Sequence, residues 1–132
     1  MKKHIVCMLL MLIIGICNNA AAQVLKYKAR QASLKLNESK SEREWIPCNT
    51  LVVVDTAKQT IVIYKEQKEK FDIIKSLDSR RENNHTTVAF QAVDNDGKEV
   101  TMSLSIVHDK DYNALLVVLY KEYSFAYKLI AN

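Results

Sequence analysis

The chain has 132 residues, a formal net charge of +4 and 48% hydrophobic residues. This length fits one domain with a modest core rather than several domains. Positive and negative residues are mixed along the chain and no basic cluster carries aromatic residues, so the usual signature of a nucleic-acid-binding protein is missing.

The N-terminal segment has the organisation of a secretory signal peptide. Lys2 and Lys3 form a basic start, an almost unbroken apolar run covers residues 5–16, and the three alanines at residues 20–22 form a cleavage site. The apolar run is shorter than the roughly 20 residues that a membrane-spanning helix needs. We therefore expect a cleaved leader over residues 1–22 and export to the periplasm or the extracellular space.

Cleavage of the leader also determines what the cysteines can do. Cys7 and Cys17 leave with it, so Cys48 has no partner for an internal disulfide in the mature domain of residues 23–132. A lipoprotein anchored at Cys17 is the less favoured alternative, because such signals carry a small residue before the cysteine and Ile16 is large. The remaining 17 basic and 15 acidic residues give the mature domain a net charge of +2, and we expect no membrane span in it.

The mature domain begins with a predicted strand, a polar loop and a tryptophan. Residues 26–36 are basic and weakly alternating, which predicts an edge strand whose lysines discourage pairing with other edges. Residues 37–44 are polar and predict a loop or a single helical turn. Trp45, the only tryptophan, then serves as a plug over one end of the core or as a platform on which a ligand stacks.

The next predicted hairpin is apolar on both faces. Residues 51–55 and 60–64 form its arms, and such strands lie at the centre of a covered sheet or in a closed barrel. Residues 71–77 fit either a helix face or a strand. We favour the strand, because the neighbouring segments form a meander.

A second hairpin, over residues 86–108, determines which side chains face the core. Its arms alternate apolar and polar residues, as half-buried antiparallel strands do. A two-residue loop would place Phe90 opposite Ser103 and turn a whole apolar row to the wrong face. We therefore predict a three-residue loop with Gly97 in the left-handed region, which places Phe90 opposite Met102.

The last two predicted strands, residues 115–120 and 123–130, form a third hairpin in which Tyr120 pairs with Tyr123. One row of this hairpin is aromatic and aliphatic and faces the core. The other row places three aliphatic residues on the outer face, where they need cover from the same chain or from a partner. The candidate ligand or partner surface therefore consists of Trp45, Leu115, Val117 and Leu119.

Catalytic and metal-binding motifs are nearly absent. The segment from Asp109 to Asn113 resembles the opening of a calcium loop, but Ala114 stands where that loop requires glycine, so we expect a plain turn. His108 and Asp109 are neighbours on a strand and point apart, and the predicted register sends His85 and His108 to opposite faces. We expect no metal, no cofactor and no catalytic set.

One modification signal remains. The run Asp55-Thr56-Ala57 resembles the short O-glycosylation signal that some Gram-negative anaerobes use on exported proteins. Because an exposed hairpin loop would accommodate a glycan, Thr56 is the candidate acceptor.

These elements predict an all-β fold of about eight strands, either a small antiparallel meander barrel or a two-sheet sandwich. The size and strand number look like the calycin barrels, a resemblance that implies carriage of a small apolar ligand, although Glu44 stands before Trp45 where lipocalins have a Gly-x-Trp signature. Our leading hypothesis is a non-enzymatic binding or interaction module for a protein, a glycan or a small apolar ligand. The alternative is a small exported hydrolase that uses His108 and acidic loop residues such as Asp109 and Asp111.

Overall fold

A computed structural model describes residues 23–38, 40–82, 85–107 and 113–131. The regular elements in these ranges are eight strands: β1 (Val24–Leu36), β2 (Ile46–Asp55), β3 (Thr60–Tyr64), β4 (Glu69–Glu82), β5 (His85–Val93), β6 (Glu99–Val107), β7 (Ala114–Leu119) and β8 (Tyr123–Ala131). The predicted all-β fold is confirmed, including a strand over residues 71–77. The predicted leader lies outside the described residues.

The sheet closes on itself. Each strand pairs antiparallel with the next, and β8 pairs with β1, so the fold is an up-and-down barrel rather than a sandwich. The prediction that residues 26–36 form an edge strand is wrong, because β1 has a partner on both sides. The basic residues of β1 instead alternate with buried ones such as Tyr27 and Ala29 and face outward.

The core fills the middle of the barrel. Alternate side chains of every strand point inward, and eight strands enclose just enough space for such side chains to fill. The largest of them are fully buried, and they include Phe71, Phe90, Ile61, Ile63, Met102 and Leu104. Burying each such side chain stabilises the fold by about 1.5–3 kcal/mol, so this filled interior is the main source of stability.

The β5–β6 hairpin has the predicted register. Phe90 lies opposite Met102 and the flanking inner residues pair in step, which confirms the three-residue loop. The Asp94 amide donates to the Lys98 carbonyl at 2.9 Å, and Gly97 has a φ of 81°. Only glycine adopts this conformation without cost, so Gly97 sets the register of the whole hairpin.

The β7–β8 hairpin also follows the prediction. The Tyr120 amide donates to the Tyr123 carbonyl at 2.8 Å across the turn. Val118 then lies opposite Phe125, and Leu116 lies opposite Tyr127. Because both short hairpins keep the expected parity, the inner and outer rows of β5 to β8 are those that the sequence predicts.

The strands β3 and β4 differ in length, which makes the two ends of the barrel unlike. We call the end that carries residues 37–45 and the turns at residues 94–98 and 120–122 the upper end, and the opposite end the lower end. β3 is only five residues long and pairs with β4 through residues 69–72. Beyond that point β4 continues towards the lower end with two β-bulges and pairs, among the described strands, only with β5.

Candidate functional site

Three large aliphatic side chains stand at the upper end on the inner face of the barrel. Leu34 pairs with Phe125, Leu36 with Tyr123 and Ile46 with Ala32. Directly opposed residues of an antiparallel pair share one face, and Phe125 and Ala32 pack against the core. Leu34, Leu36 and Ile46 are nevertheless 57%, 62% and 63% exposed, because they extend above the level where the barrel is filled. We call these three residues the upper rim.

An aromatic cluster lies beside the upper rim. Tyr120 and Tyr123 stack with ring centroids 4.9 Å apart, and the Phe125 ring meets both edge-on at 6.3 Å and 5.4 Å. Stacked and edge-to-face geometries are those that aromatic pairs favour. The cluster therefore forms a well-packed aromatic surface next to the exposed aliphatic side chains of the upper rim.

The β5–β6 turn holds this cluster in place. Tyr120 Oη donates to Asp94 Oδ2 at 2.9 Å, while Asp94 Oδ1 accepts from the amides of Asp96 and Lys98 at 2.9 Å each. Burial and the neighbouring carboxylate raise the pKa of Tyr120, so it stays a neutral donor. Burial acts to raise the pKa of Asp94, but the hydrogen bonds from Lys98 and Tyr120 outweigh it and hold that pKa below its usual value.

An ion pair between Lys65 and Glu69 lies next to the aromatic cluster. Lys65 Nζ lies 2.7 Å from Glu69 Oε1 and 5.0 Å from the centroid of the Phe125 ring. Burial acts to lower the pKa of Lys65, but Glu69 and Tyr127 outweigh it and raise it, so the ammonium stays charged. Between this pair and the β5–β6 turn lies an open depression of about 270 Å³.

Trp45 lies on the outer face of the barrel rather than over the end of the core. Its ring has Lys128 Nζ at 4.5 Å from the centroid. Lys128 alternates with the buried Tyr127 and Leu129 on β8 and therefore faces outward. Lys128 also pairs with Leu115, so two of the predicted surface residues, Trp45 and Leu115, lie on the same outer face, and each of them neighbours Lys128.

The outer row of β7 is only partly covered. Leu115 and Val117 are half-buried and Leu119 is exposed. A closed barrel has no second sheet to cover this row, but the segment before β2 crosses the outer face beside it, and Arg43 donates to Ser124 Oγ at 2.6 Å. The role of Trp45, Leu115, Val117 and Leu119 as a ligand or partner surface stays a prediction.

A groove of about 480 Å³ runs along the outer face between β4 and β7. Leu115 lines it, together with Arg80 and His85. The hydroxyls of Thr87 and Ser105 also line it and hydrogen bond to each other at 2.8 Å. We call it the outer groove.

The predicted glycan acceptor is buried. Thr56 is fully buried, its Oγ1 accepts from the Gln23 amide at 2.8 Å, and it donates to the Gln23 carbonyl at 3.1 Å. The expectation of an exposed Thr56 is therefore wrong, because its hydroxyl anchors the start of β1 to the β2–β3 loop. A glycan on Thr56 would have to displace both hydrogen bonds.

The residues of the hydrolase hypothesis, His108, Asp109 and Asp111, lie outside the described residues. Asn113, which follows them, holds the end of β8 through a hydrogen bond of 2.8 Å from the Ala131 amide.

Within the described ranges, no three histidine, cysteine or acidic side chains meet in a metal-binding group. The part of the chain that the structure describes contains no helix long and apolar enough to cross a membrane. Compared with known proteins, the chain matches no family, no curated protein and no solved structure.

Sequence reasoning missed the upper rim. Leu34 and Leu36 alternate along β1 as core residues do, and the sequence contains no sign that the core ends below them.

Proposed function

We propose that this protein is an exported, non-enzymatic interaction module that binds another protein through the upper end of its barrel. The observation that carries the proposal is the upper rim, three aliphatic side chains that are each more than half exposed beside one aromatic cluster. Clustered exposed apolar residues of this kind mark interaction sites in soluble proteins. Isolated exposed residues of the same type would need no explanation.

The surroundings of the upper rim support a protein partner. Glu38, Lys121 and Glu122 are exposed next to Leu36, so charges of both signs border the apolar residues. An apolar centre with a polar border and aromatic side chains is the usual composition of a protein–protein interface. A single-sign border would have favoured a charged partner instead.

The interior of the barrel supports the same choice over a calycin-like carrier. A carrier of a small apolar ligand needs an enclosed, apolar cavity. Phe90 and Met102 are fully buried and occupy the middle of the barrel, and the depression beside the aromatic cluster is open and polar on one side. A ligand would therefore have to rest on the barrel rather than enter it.

Site-specific crosslinking in the producing cells tests this proposal. A photoreactive benzoylphenylalanine would replace Leu36 in one strain and Val24 in another, since Val24 is a similarly exposed apolar residue at the lower end of β1. We expect a discrete protein adduct from position 36 and none from position 24. Equal adducts from both positions, or none from position 36, would overturn the proposal. An adduct of small-molecule mass at position 36 would also overturn it and favour the carrier.

A further inference from the structure

The lower half of β4 is a sheet edge. Residues 75–82 pair with β5 on one side, whereas pairing with β3 ends at Asp72, and no other described strand contacts β4. Both β-bulges lie before Asp78, so the strand from Asp78 to Glu82 is regular. Edges of this kind present unpaired N–H and C=O groups that can pair with another strand.

We propose that two copies of this protein associate through this edge, with β4 antiparallel to β4 and Ser79 opposite Ser79. In a two-fold antiparallel pair one residue must lie opposite its own copy, and residues equally distant from it face each other. Centred on Ser79, this pairing places Asp78 opposite Arg80 of the second copy, and Arg80 opposite the second Asp78.

Charge complementarity selects this register. A pair centred on Asp78 would bring two carboxylates together, and a pair centred on Arg80 would bring two guanidinium groups together and set Asp78 against Glu82. A pair centred on Leu77 would bring no opposite charges together. Opposite charges directly across two strands stabilise the pair and like charges destabilise it, so the Ser79 register is the favoured one.

The two charged residues lie on the same face of β4. Asp78 pairs with Ala89 and Arg80 with Thr87 within the barrel, and these β5 residues alternate with the buried Val88. Asp78 and Arg80 therefore both point outward. Their side chains are 62% and 69% exposed and lie 3.7 Å apart, and such a surface ion pair contributes little to stability. Exchanging this ion pair for the pair across the dimer therefore costs little. Asp78 Oδ1 also accepts a hydrogen bond from the Ser79 amide at 2.8 Å, and in the dimer this amide donates to the Ser79 carbonyl of the second copy instead.

Leu77 adds an apolar contribution. It is the extra residue of the second β-bulge and is 47% exposed, and the proposed register brings it towards Arg81 of the second copy. The aliphatic part of an arginine side chain can cover a leucine while its charged end stays in water. The dimer leaves both upper ends free, so it is separate from the partner proposed for the upper rim.

Charge exchange tests the dimer. The full chain, expressed with its own N-terminal segment, would be compared by sedimentation over a concentration series with the variants Asp78→Arg and Arg80→Asp. We expect the wild-type chain to dimerise and each single variant to dimerise about tenfold more weakly, because each creates like-charge pairs at both positions. Lys121→Glu, an exposed charge reversal in the β7–β8 turn at the upper end, is the control and should dimerise as the wild type does.

A mixture of the two variants provides the decisive result. Asp78→Arg chains carry two positive residues and Arg80→Asp chains two negative ones, so differently tagged variants should form a heterodimer with near wild-type strength. The double variant Asp78→Arg/Arg80→Asp should recover the homodimer. A wild-type chain that stays monomeric, a dimer that neither single variant weakens, or a mixture without heterodimers would overturn the proposal. Circular dichroism of each variant checks that the barrel is intact.

Discussion

The middle of the barrel and its upper rim contain the same kinds of residue on the same face of the sheet, but these residues are buried in the middle and exposed at the rim. Phe90 and Leu104 are fully buried, whereas Leu34 and Leu36 are more than half exposed. Alternation along a strand decides which way a side chain points. The position of the side chain along the barrel axis decides whether other residues cover it, and this second factor separates the buried core from the exposed upper rim that we propose for binding.

The largest expected effect tests the filled middle. Phe90→Ala should lower the free energy of unfolding by about 3–5 kcal/mol, because it removes a fully buried ring and leaves a cavity among close-packed neighbours. Urea unfolding followed by circular dichroism measures this change. A loss below about 1 kcal/mol would mean that the interior is loosely packed and can hold a ligand after all.

A smaller effect is expected where the β5–β6 turn supports the aromatic cluster. Asp94→Ala should cost about 2 kcal/mol at neutral pH, because the carboxylate accepts hydrogen bonds from two amides and Tyr120. The folded pKa of Asp94 lies below its usual value, so this contribution is present above about pH 4 and is lost as the pH falls through the folded pKa.

Thermal unfolding at a series of pH values checks this prediction. The difference between wild type and Asp94→Ala should narrow below about pH 4. Asp96→Ala is the control within the same turn, since Asp96 contributes its amide to Asp94 and its side chain is exposed. A difference that does not change with pH would show that the ionised carboxylate is not what holds the turn.

A smaller loss of stability is expected when Gly97, which sets the register of the same hairpin, is replaced. Gly97→Ala should cost about 1 kcal/mol, because φ is 81° there and a side chain is strained in that conformation. An added Cβ would meet no atom within 4 Å, so the cost is conformational rather than steric. Gly97→Asn should cost less, since asparagine tolerates the left-handed region. Equal costs in chemical unfolding would contradict this explanation.

The smallest loss of stability is expected when leucines of the upper rim are replaced. Leu34→Ser together with Leu36→Ser should change the free energy of unfolding by no more than about 0.5 kcal/mol, as for exposed surface positions in general. Val24→Ser is the matched control at the lower end. A large loss of stability in the double variant would show that the upper rim belongs to the core.

How much of the fold the sequence predicts depends on how local each contact is. The pairing of Phe90 with Met102 follows from one short turn around Gly97, and the pairing of Val118 with Phe125 follows from another. Closure of the barrel pairs Leu34 with Phe125, which are far apart in the sequence, and no turn specifies that contact. Alternation alone fits an edge strand and a barrel strand equally well, so β1 was assigned wrongly.

The candidate site was harder to predict than the fold for the same reason. The upper rim combines β1 and β2, and the aromatic cluster beside it belongs to β8 and the turn that precedes it. The sequence predicts Trp45 as a plug over one end of the core or as a platform for a ligand, but its contact with Lys128 of β8 depends on how residues 37–45 cross the outer face. Thr56 was expected in an exposed loop, but the start of β1 covers it. Each of these outcomes depends on non-local packing, which one sequence does not reveal.

The most direct test of the central claim measures binding and stability in one protein. Benzoylphenylalanine would replace Ile46 in two chains, one with Leu34 and Leu36 unchanged and one with Leu34→Ser and Leu36→Ser. Crosslinking would measure the yield of the partner adduct for each chain, and urea unfolding would measure the stability of each. We predict that the adduct falls at least about tenfold while the free energy of unfolding changes by no more than about 0.5 kcal/mol. An unchanged adduct, or a loss of stability comparable with that of Phe90→Ala, would contradict the claim that the upper rim serves binding rather than folding.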